Sequence, residues 1–271
     1  MKITAAAIQM TSTQDRDRNL ETAIALAGRA ADRGASLIAL PENWLYMRGT
    51  GEPPIAGVSL DGPELNALRD VACARGVHLL AGTVPEAIPG SEKVYNTSVL
   101  FGPDGGKLAV YRKIHLFDSN LSNGETHRES DSVAGGEQIV TADTPFGRLG
   151  LSVCYDLRFP ELYRRMAIQG AVLFFVPAAF TLHTGRDHWT CLLRARAIEN
   201  LSFVLAPAQW GRNAATRTTY GRSVIIDPWG VILAQAPDAE SVVLAELDFE
   251  ARTKMRNQLP CLEHIRPWLI D

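Results

Sequence analysis

Three residues in this sequence, Glu42, Lys113 and Cys154, each stand where an apolar run ends and the chain turns: LIALPENW delivers Glu42, LAVYRKIH delivers Lys113, and LGLSVCYDLRFPEL delivers Cys154. Their types suit nucleophilic acyl transfer. A free thiol has a pKa near ~8.5 and is only a few per cent thiolate at neutral pH, so a working cysteine needs a base or a nearby cation. Glu42 would serve as the general base. The Lys113 ammonium would stabilise an oxyanion, a role whose loss typically costs ~10²–10³ in rate. Cys154-Tyr155-Asp156 followed by Pro160, a residue favoured in the first turn of a helix, reads as a strand, an elbow and a helix presenting the thiol. The N–H of Tyr155 would then face the developing oxyanion. Against this stands the commoner fate of each residue type: a cysteine closing an apolar strand is usually a small buried hydrophobe, and a Glu or Lys at a strand end a solvated cap. Only convergence in space separates the two readings.

The elements that would bring them together alternate between apolar runs rich in Val, Ile and Leu and stretches of helical period, the pattern of an α/β fold. Strands are expected at Ile3–Gln9, Ser36–Leu40, His78–Thr83, Thr97–Phe101, Leu108–Arg112, Arg148–Cys154, Val172–Val176, Phe203–Pro207, Ser223–Asp227 and Val242–Leu247. Helices are expected at Asp17–Arg33, Pro63–Arg75, Pro160–Gln169 and Asp187–Asn200. The first helix puts Leu20, Ile24, Ala27 and Ala31 on one face, with Gly34 as its C′ residue. Turn signals at Gly102–Gly106 and Asp227–Gly230 punctuate hairpins, so antiparallel pairs mix with parallel ones. No linker or repeat divides the chain, and residues 1–271 read as one domain. Its least regular stretch, Asp118–Gly136, reads as a flap near the site.

Composition narrows the partners. With 271 residues, 46% of them hydrophobic, a sizeable core is available. A net charge of −3, from 27 basic and 30 acidic residues, argues against a phosphate-tracking surface and against a polybasic membrane patch. The apolar start alternates like a strand and lacks a cleavage-like site, and the stretch Ala171–Phe180 is far short of the ~20 residues that span a bilayer. A cytoplasmic protein acting on a small molecule is expected, with no nucleic acid and no membrane partner. Cys73, Cys154, Cys191 and Cys261 lie far apart, which fits neither a disulfide framework nor a zinc site, and the histidines show no metal-binding spacing. No metal is expected. A Cys/His dyad using Cys154 and a distant histidine also fits the residue types.

LPEN at 40–43, YRKIHLFD at 111–118 and SVCYDLRFPEL at 152–162 resemble, as an ordered set, the three signature segments of the nitrilase superfamily of carbon–nitrogen hydrolases. The likeness runs over essentially the whole chain. AFTLHTGRDHWTCLLRARAIEN at 179–200, TYGRSVIIDPWG at 219–230 and QLPCLEHIRP at 258–267 are similar to its Nit branch, which includes deaminated glutathione amidase and the ω-amidases.

The resemblance implies an αββα four-layer sandwich with mixed sheets, a homodimer or higher homo-oligomer, and no cofactor. It implies Glu42 as base, Lys113 as the oxyanion lysine, Cys154 as nucleophile, and a second glutamate in the loop after the lysine, best matched by Glu129 with Glu125 as the rival. The implied reaction is hydrolysis of an amide through a cysteine thioester, with deaminated glutathione as the leading substrate. α-Ketoglutaramate, a nitrile or an N-carbamoyl compound are alternatives, and a binding module with lapsed catalysis is the non-enzymatic rival. An α-keto dicarboxylic substrate needs a cation besides Lys113, and Arg158 is the first candidate, with a structural pairing to Asp156 as its other reading. Residues 200–217 depart from the branch pattern in their Arg- and Asn-containing loop, which leaves substrate choice open there. Residues 187–200 are expected to form a helix at the subunit interface, with Arg196 and Glu199 as a surface pair.

Overall fold

The computed structural model describes residues 1–49, 56–122, 124–266 and 268. Two mixed sheets form the centre. The first runs in the order Ser241–Asp248, Lys2–Gln9, Leu37–Ala39, His78–Leu80, Val94–Phe101, Val84–Ala87, and Lys107–Arg112 and Val133–Ala134 also pair with Val94–Phe101. The second runs Thr141–Thr144, Gly147–Leu151, Ala171–Phe175, Phe203–Ala206, Val224–Ile226, Ile232–Gln235.

Alternation along the strands sorts side chains between layers. In Lys2–Gln9, Ala5 and Ala7 enter the core shared with Leu149, Phe174 and Leu205 of the second sheet. Ala6 and Ile8 face the other way, into a core with Ala23, Leu26, Ala27 and Ala30 of helix α1 (Arg16–Asp32) and Leu65, Leu68 and Ala72 of α2 (Pro63–Arg75). On the far side of the second sheet, α3 (Pro160–Ile168) contributes Leu162 and Met166, and α4 (Leu182–Asn200) contributes Trp189 and Leu193. Helices, sheet, sheet and helices make the four-layer αββα sandwich expected from the sequence. Among the described residues, no helix is long and apolar enough to cross a membrane.

Several local expectations shift. The stripe buried on α1 is centred on Ala23, Leu26, Ala27 and Ala30, with Leu20, Ile24 and Ala31 at its margin, because α2 packs beside it as well as the sheet beneath. Helix α4 starts at Leu182 rather than Asp187, since the Thr181 hydroxyl accepts the Thr184 N–H at 3.2 Å and caps it. A fifth helix, α5 (Phe249–Gln258), capped by the Asp248 carboxylate, buries only Phe249 and Arg252 and so lacks an apolar period to read. The Gly102–Gly106 and Asp227–Gly230 turns do join antiparallel strands. Arg196 is buried, not on the surface. Its guanidinium donates to the Leu157 carbonyl at 3.0 and 2.7 Å as well as to Glu199 at 3.0 Å. The i,i+3 spacing was legible, but not that the turn after Cys154 covers that helix face. The segment 258–267 ends on Pro267, outside the described residues.

Candidate active site

The three reactive residues arrive from both sheets. Glu42 follows the carboxyl end of Leu37–Ala39 and Lys113 follows Lys107–Arg112, both in the first sheet, while Cys154 follows Gly147–Leu151 in the second. Two positive-φ residues mark these exits: Asn43 at 55° and Cys154 at 49°. Left-handed backbone is costly for a side-chain-bearing residue and is retained where the surrounding structure dictates it. At the elbow, the Cys154 N–H is held by the Pro177 carbonyl at 3.0 Å, and residues 154–158 form a 3₁₀ turn leading to α3 with Pro160 in its first turn. Behind Glu42, Gly82 lies so close that a Cβ there would overlap the Pro41 carbonyl oxygen.

The side chains converge. Lys113 Nζ donates to Glu42 Oε1 at 3.1 Å and to Glu129 Oε1 and Oε2 at 2.9 and 2.7 Å. The second Glu42 oxygen accepts the Ala179 N–H at 2.8 Å, and the Cys154 thiol lines the same cavity, near enough for the Glu42 charge to act on it. Glu42, Lys113 and Cys154 are all buried, so these contacts act where water screens little. Glu129 begins a short 3₁₀ turn inside Asp118–Gly136 and also accepts the Phe117 N–H at 2.6 Å. Glu125 lies on the surface beside His127, 3.4 Å away.

Charge balance follows from this geometry. Burial opposes the Lys113 ammonium, yet Glu129 and Glu42 outweigh it and raise its pKa above the ordinary value. Burial also opposes the Glu129 carboxylate, and Lys113 reverses that, leaving its pKa lowered. For Cys154, burial and then the neighbouring Glu42 charge push the thiol well above its ordinary value. The resting site therefore holds a neutral thiol among two carboxylates and one ammonium. Moving the thiol proton to Glu42 relocates a negative charge without changing the total, which avoids the penalty for adding charge to a dry site.

Two residues that position the site were not singled out from the sequence. Asn96 Nδ2 bridges Glu42 Oε1 at 2.9 Å and Glu129 Oε1 at 3.3 Å, from the buried face of Val94–Phe101. Asp156, fully buried, accepts the Tyr111 hydroxyl at 2.7 Å and the Val153 N–H at 2.8 Å on one oxygen, and the His115 N–H at 3.0 Å on the other, with His115 Nδ1 at 2.8 Å. It thereby ties the cysteine elbow to the segment carrying Lys113. A polar residue inside an apolar strand was the available signal for Asn96. The sequence shows Asp156 only as a member of the elbow and a partner for Arg158.

Glu42, Lys113, Glu129 and Cys154 line one cavity of about 640 Å³, together with Tyr46, Asn96, Phe117, Ala179 and a rim of Arg48, His127, Arg128, Asp131 and Arg217. Its volume falls in the range of small-molecule sites, ~300–1,000 Å³. The Tyr155 ring packs on Phe117 and Phe159 beside it. Arg158 lies on the flank, 5.7 Å from the ring centres of Tyr155 and Phe180 and 3.2 Å from His188 Nδ1. Neither the Tyr155 nor the Arg158 side chain is part of the cavity wall.

The carbon-nitrogen hydrolase family profile matches residues 4–257. A deaminated glutathione amidase from Synechocystis is 44% identical over 263 residues, 96% of this chain and 97% of that one. Omega-amidase NIT2 from Homo sapiens is 36% identical over 261 residues, 96% of this chain and 94% of that one. Among solved structures, the C. elegans NitFhit protein superposes with a TM-score of 0.90 at 34% identity, covering 99% of this chain and 66% of that longer one.

Proposed function

This chain belongs to the carbon-nitrogen hydrolase family, and from that premise we propose that it hydrolyses a small-molecule amide through a Cys154 thioester, with deaminated glutathione as its substrate. The observation that carries the chemistry is the convergence of Cys154, Glu42 and Lys113 on one cavity, all three buried, with Lys113 Nζ 3.1 Å from Glu42 Oε1 and the Glu42 charge acting on the thiol.

In this reading Glu42 takes the thiol proton as sulfur attacks the amide carbon. The carbonyl oxygen becomes an oxyanion held by Lys113 and the Tyr155 N–H. Its collapse breaks the carbon–nitrogen bond, and Glu42 returns the proton to the leaving amine. Glu42 then takes a proton from water, whose oxygen attacks the thioester and releases the acid and the thiol. Glu129 and Asn96 hold Lys113 and Glu42 in register through both half-reactions. The neutral resting thiol makes proton transfer part of the attack, because burial disfavours a standing thiolate.

The choice of deaminated glutathione rests on the similarity to the Synechocystis amidase over nearly the whole chain and on a cavity roomy enough for the Cys-Gly leaving group. Comparison of kcat/KM for deaminated glutathione, α-ketoglutaramate, a simple aliphatic amide and a nitrile tests it. Deaminated glutathione is expected to lead. A lead for α-ketoglutaramate would make the protein an ω-amidase, and a lead for the aliphatic amide or the nitrile would remove the substrate assignment while leaving the nucleophile in place.

The same reading includes a homo-oligomer in the cytoplasm. Ile232–Gln235 ends the second sheet with an unpaired edge, and Ile198, Trp229, Val231, Ile232 and Leu233 around it are exposed. An edge and an apolar patch together favour burial against a second copy. Four cysteines without a disulfide suit a reducing compartment. A monomeric mass in solution, or recovery outside the cytoplasm on cell fractionation, would count against these two points.

A further inference from the structure

The amide chemistry uses the buried charges at the cavity floor completely: Lys113 is shared between Glu42 and Glu129 and has no donor to spare for a second anion until the oxyanion forms. The rim carries three arginines. Arg48 donates to the Ser132 hydroxyl at 2.8 Å. Arg128 is occupied in bracing its own hairpin, donating to the carbonyls of His127 and Ser119 at 2.8 and 3.3 Å and to Asn120 Oδ1 at 3.0 Å.

Arg217 differs. It lines the cavity and is only partly exposed, yet among the described residues its guanidinium makes no hydrogen bond or ion pair. Its charge reaches into the rim: after burial itself, the repulsion from Arg217 is part of what lowers the His127 pKa, which Glu125 opposes. A partly desolvated cation without a counter-ion carries an electrostatic cost that a bound anion relieves.

The support beneath Arg217 is firm. Arg217–Tyr220 pairs with Trp210–Ala214 as a hairpin, and that hairpin is bonded to the segment that follows Lys2–Gln9 through the Trp210 N–H on the Met10 carbonyl at 3.0 Å and Asn213 Nδ2 on the Ser12 carbonyl at 3.1 Å. The Thr219 hydroxyl in turn holds Asn213 Oδ1 at 2.7 Å. Arg217 closes residues 200–217, the segment that departs from the pattern of the Nit branch.

We propose that Arg217 is a specificity-determining residue that reads a substrate carboxylate placed away from the scissile amide. A guanidinium suits this task because its planar fork meets both carboxylate oxygens. The inference rests on the amidase reading for the identity of the substrate, but not for the anion site itself.

The test compares wild type, Arg217→Ala and Arg217→Lys on deaminated glutathione, α-ketoglutaramate and butyramide, the last carrying no carboxylate. The preference for a carboxylate substrate over butyramide, as a ratio of kcat/KM, is expected to fall about tenfold to a hundredfold in Arg217→Ala, through KM rather than kcat, and to recover in part in Arg217→Lys. A fall for both carboxylate substrates places Arg217 on the acyl side of the scissile bond, and a fall for deaminated glutathione alone places it on the glycyl end of the leaving group. An unchanged ratio for both overturns the proposal. Calorimetric titration with 2-oxoglutarate and with cysteinylglycine separates this from failure of the amidase reading. If the wild type hydrolyses none of the amides, binding of either probe that weakens at least about tenfold in Arg217→Ala upholds the anion site. Binding of neither probe by the wild type, or equal binding by both proteins, overturns it.

Discussion

Replacing Cys154 by alanine is expected to lower amide turnover at least about a thousandfold while leaving the fold intact, since removal of a nucleophile takes away the step on which every later one depends. Structurally the change is mild. Alanine keeps the Cβ that the left-handed backbone at 49° already tolerates, keeps the N–H to the Pro177 carbonyl, and leaves the Glu42 carboxylate its bonds to Asn96, Lys113 and Ala179. Circular dichroism and thermal melting should overlay on wild type to within a few degrees, and ammonia or amine release supplies the rate. Retention of more than a few per cent of wild-type turnover would remove Cys154 as nucleophile. A companion measurement reads the thiol directly. Because burial and Glu42 hold it protonated beyond the usual range, its alkylation by iodoacetamide should still be accelerating at pH values above ~8.5, where an ordinary cysteine is already half ionised. A rate that levels off near neutral pH would mean a standing thiolate and a different division of labour with Glu42.

The second large effect is expected at Lys113, where one substitution should damage both stability and catalysis, with opposite remedies. Lys113→Met removes the proposed oxyanion donor, a loss of about 10²–10³ or more in kcat. It also strips the shared cation from Glu42 and Glu129, leaving a buried and a half-buried carboxylate joined only through Asn96, at a cost of about 3–5 kcal/mol.

The pH dependence distinguishes the two proteins. In the wild type the Glu129 pKa is lowered, so its contribution is present above the unfolded carboxylate value near ~4.3 and is lost as pH falls. The Lys113 pKa is raised, so its contribution is complete below the unfolded value near ~10.4 and is lost only as pH climbs past it. The wild type should hold a level melting temperature between pH 5 and 8. Without the lysine, two like charges cannot both persist and one carboxyl takes a raised pKa. A raised folded pKa gives stability that fades as pH rises, so the melting temperature of Lys113→Met should fall across that interval. Adding Glu129→Gln should recover much of the stability, because one of the competing charges is gone, and none of the rate. Parallel pH profiles for wild type and Lys113→Met would show that the cluster is not electrostatically coupled as described.

Much of the architecture was written locally in the chain. The strands ending at Glu42, Lys113 and Cys154, the hairpin turns and the four helices were legible because a continuous apolar run marks even a short buried strand, and an amphipathic helix imposes a side-chain period that neighbours in sequence must obey. Val84–Ala87, Val133–Ala134 and Arg217–Tyr220 are short and lie outside any such run, and α5 buries too little to show a period. The residue types of a candidate site, a thiol, a carboxylate and an ammonium each at the end of an apolar run, could likewise be read from sequence alone. Whether they met could not.

Glu42 and Lys113 are 71 positions apart and come together only because their strands share a sheet, and Cys154 joins them from the other sheet once the two are stacked. Proximity to Lys113, which falls to Glu129 rather than Glu125, depends on how a short hairpin folds back over the cavity. Asn96, Asp156 and the buried Arg196 hold the site through bonds across 54, 45 and 39 positions. Local sequence sets backbone preference and the face each side chain takes, but the contacts that tune charge and fix geometry are made between layers. Those contacts exist only after the apolar faces have been buried, which is why the tertiary structure, and not the motif, decided which residues stand around the thiol.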